Sequence, residues 1–184
     1  MRKIYFRFIR YSSKKTVLLS LFALELLFMY AFHGLFSFSV EKLQQLSGGY
    51  GIPDALFYYR FDTLQTLFSH YGEAGKKVYL QLQVIDMIYP LIYSTLLAGL
   101  LYLQFSKSRL TWVIIIPHIA ALFDYAENLS LRFNLIRFPS MDLAVADASG
   151  IFTCLKWSLV YLSILLLLIA WFKRLFFKKP LPQT

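Results

Sequence analysis

The chain has 184 residues and a formal net charge of +9, is 58% hydrophobic and 18% aromatic, and has a mean hydropathy of +0.56. Its apolar residues are gathered into four blocks, which excludes an ordinary soluble domain and leaves no stretch long enough to bury a separate core. Cys154 is the only cysteine, so an intrachain disulfide and a dithiol relay are excluded as well.

Arg2, Lys3, Arg7, Arg10, Lys14 and Lys15 precede the first apolar block, residues 16–38. That block is longer than a secretory h-region and no small-x-small cleavage site follows it, so it reads as a retained signal anchor and a first span. Residues 39–79 form an outer segment too apolar for a loose connection. Within it, the run from Ser47 to Asp54 marks an irregular turn, because its glycines tolerate positive φ and Pro53 restricts its neighbour. Phe57, Phe61, Leu64 and Phe68 then recur at helical spacing, with Asp62 and Gln65 spaced as a capping box. This predicts a short amphipathic helix, lying on the membrane surface or over the mouth of the bundle, with Gly72 and Gly75 bending the chain into span two.

Spans two and three occupy residues 80–105 and 110–131, joined by a connection short enough to make them antiparallel neighbours. Pro90 and Pro117 interrupt them, and each is expected to free a carbonyl one turn earlier, at Asp86 and Val113. After a second outer connection, Pro139, Ser140 and Asp142 read as a helix start ahead of span four, residues 151–172. The predicted fold is therefore all-α. It is a single membrane domain over residues 1–184, a polytopic four-transmembrane-helix bundle with an amphipathic outer helix between spans one and two.

Twelve of the nineteen basic residues fall on one side of these spans: the N-terminal six, Lys107 and Arg109, and Lys173, Arg174, Lys178 and Lys179. The positive-inside rule makes that side cytoplasmic, giving a multi-pass protein with N-in and C-in topology, in the cytoplasmic (inner) membrane if the chain is bacterial. The basic ends suit anionic headgroups, so membrane lipids are expected partners, and a membrane protein partner stays open. No basic stripe with stacking aromatics stands free of the spans, which argues against nucleic acid.

Ionisable residues inside spans are costly and mark function or interhelical locks. His33, Asp86, Asp124, Glu127 and Lys156 all fall in the outer third of their helices, roughly 5 to 10 Å below the boundary at 1.5 Å per residue. At 100° per residue, Asp86 shares a face with Tyr79, Gln83, Pro90, Tyr93 and Leu97. Asp124 shares one with Pro117, Glu127 and Asn128, and Lys156 with Ser149, Thr153 and Ser163. Those faces are expected to converge on a ligand site made of Asp86, Asp124, Glu127, Asn128, Lys156, Tyr93 and His33. Three carboxyls against one lysine also require a protonated carboxyl or a further cation, for which His33 and Arg132 are the candidates. Glu25 is expected apart from the cluster with a partner on a neighbouring helix or subunit, and His118 as a hydrogen-bonded core residue on a different face.

No HxxxH, HExxH or paired ExxH spacing is present, and a lysine in the same layer opposes a cation, so no metal is expected. Gly48, Gly49 and Gly51 do not run from a strand into a helix, and no cofactor is legible. The pattern Tyr71-Gly72-x-x-Gly75, Asp86-x-x-x-Pro90-x-x-Tyr93 and Asp124-x-x-Glu127-Asn128 has the density of a signature but points to no characterised family. Three functions follow in order. The first is a pocket that binds or translocates a small ligand, a lipid headgroup or protons. The second is a membrane-embedded acid/base enzyme acting on a lipid-like substrate, and the third a non-catalytic subunit or assembly factor whose charges serve as a lock.

Overall fold

The computed structural model describes residues 2–35 and 38–176. Phe36 and Ser37 of the first apolar block, and Lys178 and Lys179 of the basic C-terminus, lie outside the described residues. The described chain is helical, with no strand in it. Three stretches are long and apolar enough to cross a membrane: Lys15–Gly34, Phe61–Phe105 and Leu143–Phe176.

The basic N-terminal segment is itself a helix, α1 (Arg2–Ser12). One face of it packs inward, so Ile9 is fully buried against Ala98, Leu101, Val113 and Ile114, and the Tyr5 hydroxyl donates to the Ile114 carbonyl at 3.1 Å. Helix α2 (Lys15–Tyr30) follows and ends in one wide turn, Ala31–Leu35. It is rich in leucine on every side, and none of its residues is buried. It approaches the later helix Tyr89–Phe105 at Gly99, where an added Cβ would fall 2.9 Å from Leu18 Cδ2 and 3.3 Å from the Ser12 carbonyl.

Helix α3 (Val40–Ser47) starts where the Ser39 hydroxyl accepts from the Lys42 amide at 3.2 Å, and stops at Gly48, whose φ of 72° suits glycine. The segment from there to Arg60 is irregular apart from one turn at Pro53–Ala55. Helix α4 (Phe61–Asp86) is bent at Gly72, with φ 56° and ψ −170°, the bend the glycine pair predicted. Its start corrects another expectation. Arg60 occupies the N-cap position, which leaves Asp62 inside the first turn, and the cap comes from a distant helix instead: Asp147 Oδ1 accepts from the Phe61 amide at 2.8 Å. The apolar face of this first part of α4 is covered, with Leu64, Phe68 and Tyr71 packed among Leu43, Leu131, Leu135 and Ala146. It caps one end of the bundle.

The block expected as span two is divided. Helical course is lost at Met87 and Ile88, and α5 (Tyr89–Phe105) restarts with Pro90 in its first turn. At this break the Met87 carbonyl accepts from the Tyr125 hydroxyl at 3.1 Å, and Pro90, having no N–H, leaves the Asp86 carbonyl without its regular helical donor. Pro117 is not a kink either. A short 3-10 stretch, Thr111–Ile115, precedes α6 (Ile116–Arg137), and Pro117 sits in the first turn of that helix, where its missing N–H costs nothing. The Val113 carbonyl is taken by the Ile116 amide. Helix α7 (Leu143–Phe176) begins eight residues before the apolar block at 151, because Asp142 Oδ1 accepts from the Val145 amide at 3.0 Å and caps it.

Candidate functional site

Helices α6 and α7 are joined by residues 138–142 and packed along each other. Their helical phases decide what the contact contains. On α6 the buried face is Pro117, Ala120, Ala121, Asp124, Glu127, Asn128 and Leu131, and on α7 it is Ala146, Ser149, Gly150, Thr153, Lys156 and Ser163. Small residues on α7 let the helices approach closely, and the polar members of both faces then find partners on each other and on the segments packed around them. The faces expected from 100° phasing are the ones the fold buries.

Lys156 is the centre of the arrangement. Its Nζ lies 2.5 Å from Glu127 Oε2, 3.2 Å from Asp54 Oδ1 and 3.7 Å from Asp124 Oδ1. Each carboxylate has further support. Tyr93 donates to Asp124 Oδ2 at 3.1 Å, and Asn128 Nδ2 to Asp124 Oδ1 at 3.1 Å. Tyr59 donates to Glu127 Oε1, and Tyr79 to Asp54 Oδ2, both at 3.4 Å. Gln83 Nε2 reaches the Asn128 carbonyl at 3.4 Å. Burial, with the Glu127 and Asp54 carboxylates nearby, pushes the Tyr59 phenol up, so it stays a donor.

Asp54, Tyr59 and Tyr79 are the members that sequence reasoning missed as site residues. Asp54 had been read only as part of a turn. It reaches Lys156 because the irregular segment 48–60 folds over α7, and two contacts hold it there. Trp157 Nε1 donates to the Asp54 carbonyl at 3.1 Å, and the Tyr59 backbone lies on Gly150 so closely that a Cβ there would be 1.9 Å from the Tyr59 carbonyl. Only glycine permits that crossing.

Beside this cluster is a cavity of about 560 Å³. Of the residues expected to form a site, Asp86, Asp124, Lys156, Tyr93 and His33 line it, while Glu127 and Asn128 lie behind, buried and bonded to the residues that do. Glu25, Asp54 and Tyr89 line it too, and the other walls are apolar, among them Phe22 and Met29 on α2, Leu97 on α5, and Val160 and Ile164 on α7. Phe22, Met29 and Ile164 are also 54%, 50% and 40% exposed, so the cavity opens sideways between α2 and α7.

Of the two residues named as candidates for a further cation, His33 lines the cavity, while Arg132 is exposed and does not. Glu25 differs from its expected place. It does have a partner on another helix, with the Tyr89 hydroxyl donating to Oε1 at 2.6 Å, but it lines the same cavity as the cluster. His118 is held on the other side of α6, its Nδ1 3.3 Å from the Tyr5 hydroxyl. Cys154 is half-buried and free. Among the described residues no three His, Cys, Asp or Glu side chains are grouped to hold a metal ion.

The chain matches no protein-family model, no curated protein and no solved structure. Chemically, the site joins an apolar slot, open at its side, to a polar end where one ammonium is shared among three carboxylates. It has room for a molecule with both an apolar and a polar part, with carboxyl groups and tyrosine hydroxyls facing it.

Proposed function

We propose that the protein is a four-span membrane protein with both ends cytoplasmic, whose cavity takes an amphiphile from the outer leaflet and holds its headgroup at the Lys156 cluster. The spans are α2, the later part of α4 with α5, α6, and α7. Helix α6 falls outside the three stretches named above because Asp124, Glu127 and Arg132 lower its apolar content. Two of these are turned into the bundle, and its 22 residues cover about 33 Å at 1.5 Å per residue. The packing of α1 against the α5 end and the 3-10 stretch before α6 supports a common side for the N-terminus, Lys107 and Arg109, which the positive-inside rule makes cytoplasmic.

The observation that carries the binding reading is the lateral opening. A pocket for a water-soluble molecule opens to water, whereas this one opens between α2 and α7 through exposed apolar side chains, at a height where four spans place the bilayer. The test is photolabelling of the full chain in nonionic detergent with a diazirine-bearing hexadecanol. Labels on Leu97 and Val160 inside the cavity are the expected result, and labels confined to the outer faces of α2 and α7 overturn it.

A second reading is favoured by the carboxylate spacing. Asp54, Asp124 and Glu127 surround one Nζ at 2.5 to 3.7 Å, so they are near one another at the scale on which paired carboxyls act as acid and base. In that reading the amphiphile is a substrate, Asp124 and Asp54 are the groups facing it, and Lys156 stabilises developing negative charge. Conversion of a bound lipid extract, lost in Asp124→Asn with binding retained, distinguishes it from binding alone.

A further inference from the structure

The polar end of the cavity is unbalanced in charge. Glu25, Asp54, Asp86 and Asp124 line it, against one ammonium, Lys156, and one imidazole, His33. The ammonium is already occupied, because its three N–H donors have three carboxylate neighbours in Glu127, Asp54 and Asp124. An anionic headgroup entering here would meet carboxylates with no free lysine to receive it.

Glu25 and Asp86 are in the opposite situation. Neither forms an ion pair among the described residues; Asn128 supports the Asp86 carboxyl, and the buried Glu25 Oε2 accepts no hydrogen bond. Tyr89 lies in the field of both carboxyls, with its hydroxyl bound to Glu25. Its ring packs with Phe28, Phe32 and Tyr93 at centroid distances of 6.2, 6.1 and 5.4 Å, and so forms an aromatic wall beside the two acids. Carboxylates next to aromatic faces recognise ammonium groups, by charge-assisted hydrogen bonds and by attraction to the ring quadrupole.

We infer that the headgroup of the amphiphile is cationic: a long-chain amine or quaternary ammonium whose nitrogen sits between Glu25, Asp86 and the Tyr89 ring, with its chain along Leu97, Val160 and Ile164. This rests on the amphiphile-binding reading and adds the sign of the charge to it. It also gives α2 a reason to contribute its one acidic residue to a cavity that is otherwise walled by apolar groups on that side.

The experiment is competition against the diazirine-hexadecanol label with three unlabelled probes of equal chain length, hexadecylamine, hexadecanol and palmitate, on the full chain in nonionic detergent at neutral pH. Hexadecylamine is expected to displace the label at a concentration at least about tenfold below that of hexadecanol, with palmitate weakest. E25Q and D86N are each expected to reduce that ratio to about threefold or less. Hexadecanol competition in each variant reports whether its cavity is still open. Equal competition by all three probes overturns the inference while leaving amphiphile binding intact. So does a preference for palmitate, or an amine preference that survives both substitutions. Absence of cavity labelling in the native chain overturns both readings.

Discussion

Helices α2 and α6 are both apolar enough to mistake for interchangeable spans, yet they are held in the molecule in opposite ways. Helix α2 has no buried residue, shows leucines on all sides, and meets the rest mainly along α5, through a close approach at Gly99, the Phe28 ring on Tyr89 and the hydrogen bond from Tyr89 to Glu25. Helix α6 buries ten residues, including Asp124, Glu127, Asn128 and Asn134, so its two carboxylates are enclosed along with its apolar face. The difference teaches that a charge inside such a bundle need not weaken the helix carrying it. It fixes which face must be inward, whereas a helix without that requirement is free to turn most of its surface to lipid.

The largest expected effect comes from removing the shared cation. Lys156→Met leaves Glu127, Asp124 and Asp54 without their common partner and should destabilise the fold by about 3 to 5 kcal/mol, measured by thermal or denaturant unfolding in micelles. Adding Glu127→Gln should return part of that loss, which a purely steric effect of the methionine would not do. Next is Gly150→Ala, where the new methyl meets the Tyr59 carbonyl. About 3 kcal/mol is expected, together with faster proteolysis within residues 48–60, since the crossing that presents Asp54 is pushed off α7. Tyr93→Phe removes one donor from the buried Asp124 and should cost about 1 to 2 kcal/mol by the same unfolding measurement. The smallest effect sharpens the other side of the comparison. Leu19→Ala and Leu26→Ala on α2, both exposed, should each fall within about 0.5 kcal/mol of the native chain. Losses as large as that of Tyr93→Phe would mean that α2 is packed and not merely lodged.

Much of α6 and α7 was legible in the residues. Asp124, Glu127 and Asn128 recur at a spacing that fixes a helical face, as do Ser149, Thr153 and Lys156, and the cost of exposing them to lipid leaves one direction for that face to point. The presence of a break near Pro90 was legible too, but its position was not. Proline can begin a helix as easily as kink one, and only the 3-10 stretch before α6 and the loss of helix at Met87 show that both prolines are at starts. Asp54 was hidden for a different reason. It sits in an irregular turn with no period to relate it to α7, and its arrival depends on Tyr59 crossing Gly150, a contact across 91 positions of chain that no local pattern announces. The Asp147 cap on α4 is of the same kind. Local spacing suggested Asp62 and Gln65, while the helix began two residues too early for them and took its acceptor from α7.

The ion pairs between α6 and α7 also bear on how such a chain is put together. In the proposed topology α6 leaves the ribosome first, carrying Asp124 and Glu127 with no lysine yet made to answer them. A lone segment of that kind partitions poorly into lipid. Its natural time of entry is together with α7, as a hairpin closed at residues 138–142 that brings Lys156 alongside. The first-synthesised half, including Asp54, would then have to wait at the surface until the last helix is in place.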